Sequence, residues 1–173
     1  MSPRSEVLAL IQELRKSLEV LRKIEEFYES QKKEIWESSS RTQVQAILFA
    51  EILVNYYTCV ETIFFRIAQF FENNLSSERW HQDLLDRMTI ELPSIRPRVL
   101  SDETQRLLRE LLRFRHFKRY YFEFEYDWDR LEFLRKKFES ARPRVREELN
   151  RFVLFLQKTY QESEEKFIER HEE

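Results

Sequence analysis

Apolar residues recur along this chain at helical rather than strand spacing. Val7, Ile11, Leu14, Leu18, Leu21 and Tyr28 repeat at a/d-like intervals. That narrow seam predicts a first amphipathic helix ending near Trp36, with Ser2 as its cap and Pro3 in its first turn. Between about 42 and 73 apolar residues occupy most sides, which predicts a long helix at the centre of a bundle. Ser77 or Glu78 opens a short helix through Met88. The segment ELPSIRPRVL at 91–100, with Pro93 and Pro97, reads as an extended connector. Ser101 followed by Asp102 and Glu103 marks a helix start, and that helix runs to about Tyr121. FEFEYDW at 122–128 is extended or a turn. Asp127 or Asp129 then caps a helix through Ser140, and Pro143 opens a last helix through about Lys166. That last helix carries Val145, Leu149, Phe152, Leu156 and Tyr160 on one face. No strand-period segment persists and no internal repeat is evident. The expected fold is all-α, an antiparallel four- to five-helix bundle. It forms one domain over 1–173, with an N-terminal amphipathic helix at 1–37 and a frayed acidic tail at 161–173.

One helix breaks its own pattern. Leu108, Leu112, Arg115, Arg119 and Phe122 advance by four, three, four and three residues, so all five share one helical face. Two arginines thus continue a stripe that began as core leucines. A cation in such a place is costly unless it meets an acid, a ligand or solvent. The stripe is therefore the first place to look for a site. The competing explanation for Arg115 and Arg119 is an inter-helix ion pair, for example with Glu51 or Glu61.

Composition narrows the chemistry. The 173 residues suffice for one core, and 42% hydrophobic with 36% charged residues suits amphipathic helices. Fifteen Phe, seven Tyr and three Trp supply a large aromatic payload. There is no glycine, where about 12 would be usual. That excludes the P-loop and the Rossmann fingerprint, whose glycines let backbone approach phosphate. Cys59 stands alone, so no intrachain disulfide forms, and no Cys/His cluster has zinc spacing. Neither a metal nor any other cofactor is expected. Glu51, Glu61 and Arg66 interrupt the most apolar stretch, 47–71, which therefore reads as core rather than membrane span. The N-terminal residues lack a signal-peptide pattern, and the expected location is cytoplasmic.

Net charge is −2, but it is unevenly placed. Residues 104–120 hold six Lys/Arg and one acid, a local +5, while 161–173 hold six acids and two bases. A basic helix suits RNA or an acidic protein partner.

Four segments occur in an order and spacing that carry a resemblance: WHQDLLDRM at 80–88, RPRVL at 96–100, LLRFRHF at 111–117 and YDWDRL at 126–131. Over roughly 56–155 the chain resembles the HepT-like branch of the HEPN superfamily, also met as nucleotidyltransferase substrate-binding-like helical domains. The resemblance implies a helical bundle that dimerises. Active members are metal-independent ribonuclease toxins, paired with a minimal nucleotidyltransferase antitoxin that binds the toxin and can attach AMP to it. Their motif is Arg, four to six residues, His, one residue, Tyr. Its logic is physical: attack by an RNA 2′-hydroxyl needs a proton carrier, and the transition state needs a cation.

This chain departs from the motif. With Arg115 as the motif arginine, Tyr120 stands at the histidine position and Phe122 at the tyrosine position. A second register, Arg109 with His116, keeps Arg and His but puts Lys118 where Tyr belongs. Tyrosine's ordinary pKa near 10 makes Tyr120 a poor base at neutral pH, and Phe122 has no hydroxyl to accept AMP. Tyr121 is a substitute acceptor, turned roughly 100° away on a helix.

The candidate catalytic residues are accordingly Arg115, Arg119, His116 and Tyr120. The candidate RNA-binding residues are Arg109, Arg113, Lys118 and Tyr121, and Tyr121 is also the modification candidate. His116 is a displaced proton carrier or a polar interface residue. Tyr120, Tyr121, Phe122 and Phe124 stack on RNA bases or pack in the core. Trp80 and His81 read as structural, and His171 as part of a solvated acidic end. Two functions remain open. One is a toxin component cutting or binding RNA as a homodimer under nucleotidyltransferase control. The other is a catalytically inactive module that binds a nucleotidyltransferase or RNA without cleavage.

Overall fold

The computed structural model describes residues 3–38, 41–72, 80–120 and 125–169, with side chains at all of these but 3–4, 80–83, 120 and 162–169. These residues form α1 (Pro3–Trp36), α2 (Gln43–Glu72), α3 (Trp80–Arg87), α4 (Asp102–Tyr120) and α5 (Trp128–Glu169). The expected all-α bundle is observed.

Caps set several boundaries. Thr42 and Gln45 form a reciprocal capping box: the Gln45 N–H donates to Thr42 Oγ1 at 3.3 Å, and Gln45 Oε1 accepts from the Thr42 N–H at 2.8 Å. The Gln45 amide also donates to the Glu34 carbonyl at 2.7 Å, which ties the end of α1 to the start of α2. Asp127, rather than Asp129, caps α5 by accepting the Asp129 N–H at 2.9 Å.

α2 is the central helix and packs on each of the other four. By length and composition it could cross a membrane. Here it supplies the core: Phe49, Leu53, Tyr56, Val60, Ile63, Phe64 and Ile67 are all buried. The α1 seam faces that core, with Ile11, Leu14, Leu21 and Tyr28 buried. The rings of Tyr28 and Tyr56 meet Phe138 of α5 edge-on, with centroids 5.0 and 4.9 Å apart.

Two expectations need correction. The 91–100 connector is not extended throughout. The Leu92 N–H donates to the Arg96 carbonyl at 3.0 Å across a turn in which Ser94 takes φ 63°. The turn wraps the Arg96 guanidinium, which donates to the carbonyls of Ile90, Pro97 and Arg87 and to Glu72 Oε1 at 2.6 Å. Pro143 does not open a new helix either, because α5 runs unbroken through it. A proline inside a helix removes one backbone hydrogen bond. Contacts on both sides outweigh that loss: Phe138, Ala141 and Val145 are buried, and Arg142 reaches Glu29 of α1 at 2.6 Å while lying over the Tyr28 and Phe138 rings.

Candidate functional site

α4 is held firmly at its N-terminus. Ser101 caps it, its hydroxyl oxygen accepting the Thr104 N–H at 3.2 Å. Glu148 of α5 accepts from the Ser101 N–H and from the hydroxyls of Ser101 and Thr104 at 3.1, 2.7 and 2.9 Å. Leu108, Leu111, Leu112 and Phe114 bury the inner face. Acids fill the first turn and Lys118 and Arg119 the last, matching the helix dipole. Arginines near the C-terminal end of α4 are therefore presented from a fixed rod.

Arg115 leaves the leucine stripe to meet α2. Its Nη2 donates to Glu61 Oε1 at 2.6 Å, and its guanidinium lies 5.1 Å from the Tyr57 ring centroid. Arg115 is 17% exposed and Glu61 8%, so this pair is largely shielded from water. Burial, reinforced by the Glu61 charge, pushes the Tyr57 phenol well above its ordinary range. Of the two acids anticipated for Arg115, Glu61 is the partner. Glu51 instead pairs with Lys118. Partial burial pulls the Lys118 ammonium below its ordinary pKa. Arg119, one turn beyond Arg115, is exposed, and no described carboxylate lies within ion-pair distance of it.

A groove of about 330 Å³ runs between α2 and α4, lined by Glu51, Val54, Thr58, Arg115, Lys118 and Arg119. Two guanidiniums, an ammonium and a hydroxyl converge there. Arginine's planar fork and lysine's point charge both suit phosphate oxygens. Glu51 and Glu61 offset part of that charge.

The other candidates lie elsewhere. His116 is exposed and is not among the groove residues. Arg109 pairs with Asp86 of α3, and Arg113 donates to Glu110 at 2.7 Å. Both line a separate depression facing α5. The Tyr120 side chain and Tyr121, Phe122 and Phe124 fall outside the described residues, as do the side chains of Trp80, His81 and Asp83 and all of His171. Among the described residues no cluster of His, Cys, Asp or Glu is suited to a metal ion.

Sequence reasoning missed Thr58 and Val54. Glu51, Asn55, Thr58 and Thr62 are spaced by four, three and four residues and are all exposed. That polar stripe on an otherwise apolar helix was the available signal.

Comparison with known families settles the kinship. A family model described as HepT-like protein matches residues 48–166. The chain belongs to the HepT-like family. The match starts inside α2, so the HepT-like part holds the groove residues, most of α2 and all of α4, whereas α1 lies before the match. No curated protein and no solved structure matches the chain.

Proposed function

We propose that this HepT-like chain is an RNA-acting toxin component. In this reading a homodimer holds RNA phosphates in the α2–α4 groove, works in the cytoplasm without a metal, and is governed by a minimal nucleotidyltransferase. The observation that carries the reading is the placement of Arg119. It is exposed and without a described carboxylate partner, beside Arg115 and Lys118 on the groove wall. The Glu61 pair then serves to hold Arg115 in one orientation, while Arg119 is left to meet the ligand.

Family kinship supports the assignment of the groove, because Arg115 occupies the motif arginine position by resemblance. Cleavage in this scheme requires attack by the ribose 2′-hydroxyl on the adjacent phosphorus. The 2′-hydroxyl proton leaves to a base, and the 5′-oxygen departs with a proton in turn. Arg119 and Arg115 stabilise the charge that accumulates on the phosphate oxygens. His116 is exposed one residue from Arg115, on a neighbouring face of α4, and in this scheme it carries the proton.

A second reading is favoured by a specific observation. Arg115 is already neutralised by the nearly buried Glu61, and Tyr120 and Phe122 occupy the motif His and Tyr positions. Such a site binds RNA, or a nucleotidyltransferase, without cutting.

Cleavage of labelled single-stranded RNA and tRNA in EDTA separates the two, with an Arg115→Ala, Arg119→Ala protein as control. Cutting by the native chain alone supports the toxin reading, and His116→Ala then tests the proton carrier. Groove-dependent RNA binding without cutting supports the inactive module. Absence of both binding and cutting, with the helical fold confirmed, would sink the RNA reading altogether.

A further inference from the structure

The basic helix carries a second face that the groove does not use. Arg113 and Arg115 are two residues apart, so their side chains leave α4 about 200° apart. On the Arg113 side α4 runs antiparallel to α5: Glu103 pairs with Arg144 at 2.8 Å near one end, and the Arg130 guanidinium lies over the Phe117 ring at 4.4 Å near the other. Between them is a depression of about 350 Å³ that includes Arg106, Phe133 and Lys137.

Its charges are unevenly satisfied. Glu103 and Glu110 belong to this surface, but each already holds an arginine, Arg144 and Arg113. Arg106, Arg130 and Lys137 have no carboxylate partner among the described residues. Two of these cations sit over aromatic rings instead: Arg130 over Phe117, and Lys137 over Phe133 at 5.0 Å. Phe133 is 46% exposed, away from Leu131, Leu134 and Phe138, which fill the core.

We propose that this α4–α5 seam is a contact strip for single-stranded RNA, separate from the α2–α4 groove. A cation laid over one face of a half-exposed ring offers a single strand two contacts: a base stacks on the rest of the ring or on an arginine plane, and the charge meets a phosphate. Phe133 with Lys137 supplies that pairing, and Arg106 and Arg130 extend the charge. From Arg106 to Phe117 it spans about 16 Å along the helix axis, room for a short run of nucleotides. Duplex RNA, with its bases stacked internally, presents no free base faces to the rings.

The strip rests on the RNA reading above, and the test keeps the two apart. Binding of a fluorescein-labelled oligouridylate and of a perfect RNA duplex is measured over a salt series. The proteins compared are the native chain, Phe133→Ala, Arg106→Gln with Lys137→Gln, and Arg119→Ala, each checked for native helicity. Phe133→Ala is expected to weaken single-strand binding about fivefold or more and to spare duplex binding. The double variant is expected to lower the salt slope by about 0.7 for each phosphate that is no longer neutralised. Unchanged single-strand affinity and slope in both seam variants, with weakening confined to Arg119→Ala, would overturn the strip and leave the groove standing. Unchanged RNA binding with loss of capture of an acidic nucleotidyltransferase would assign the seam to a protein partner and overturn the proposal equally. Failure of the native chain to bind either RNA would overturn both readings.

Discussion

The guanidinium of Arg96 is fully enclosed: it is 0% exposed, donates to three backbone carbonyls and bonds Glu72, which is itself shared with Arg87 at 2.6 Å. Arg119 is the opposite case, exposed at the end of α4 with no described carboxylate in reach. Arg115 lies between them, held by the Glu61 carboxylate and laid over the Tyr57 ring. The same side chain thus serves as internal scaffold, as positioned wall and as open contact. The number of acceptors the fold supplies decides which. Where backbone and acid engage both Nη groups, removal damages folding. Where none is supplied, removal damages only what binds from outside.

The sharpest break in the series is expected from Arg96→Met. It deprives Glu72 of an enclosed partner and three carbonyls of a donor. The expected loss is about 3–5 kcal/mol of stability, read as a lower urea midpoint with an unchanged slope. A loss under about 1 kcal/mol would remove Arg96 from the scaffold class. Arg115→Met is expected to cost less, about 1–3 kcal/mol, because Arg115 is 17% exposed and serves Glu61, whereas the enclosed Arg96 serves three carbonyls as well as Glu72. Restoration of stability by adding Glu61→Gln would show that the cost is an orphaned charge rather than poorer packing.

Acid titration sharpens the same contrast. Burial alone would raise the Glu72 carboxyl, but the hydrogen bonds from Arg96 and Arg87 outweigh it and hold the pKa below the ordinary 4.5. A depressed folded-state pKa means that the contribution is fully present above about pH 4.5 and is lost as pH falls through the folded value. Thermal unfolding of Glu72→Gln should therefore fall off less steeply than the native chain on the acid side. Parallel acid limbs would count against the clamp. The smallest stability effect is expected from Arg119→Ala, within about ±0.5 kcal/mol, together with weaker RNA binding. A marked loss of stability there would erase the distinction between wall and contact.

Sequence pattern made the helices legible, because caps and periodicity are local signals. Ser101 and Asp127 cap as their side chains allow. The α1 seam was legible as apolar but not as to what it meets, since a dimer seam and a core face share one spacing. Pro143 misled for the opposite reason: the local cost of a helical proline says nothing of the tertiary contacts of Phe138, Arg142 and Val145 that offset it. Arg96 gave no warning, because nothing in RPRVL distinguishes an enclosed arginine from an exposed one. In the candidate site, the arginine stripe and its acids were visible as alternatives. The α2 wall and the division of the basic helix into two faces needed the packing of α4 against both neighbours.

Pro143 has a consequence for motion. With no amide hydrogen at that position, the Glu139 carbonyl lacks its helical donor, so the longest rod in the molecule carries a seam in its exchange behaviour. Before it, Leu131, Leu134 and Phe138 are buried, and after it Leu149, Phe152 and Leu156. Amide hydrogen exchange should show α5 opening as two units with a weak link between them. The half carrying Phe133 and Lys137 could then loosen from α4 without unseating the half that caps it through Glu148.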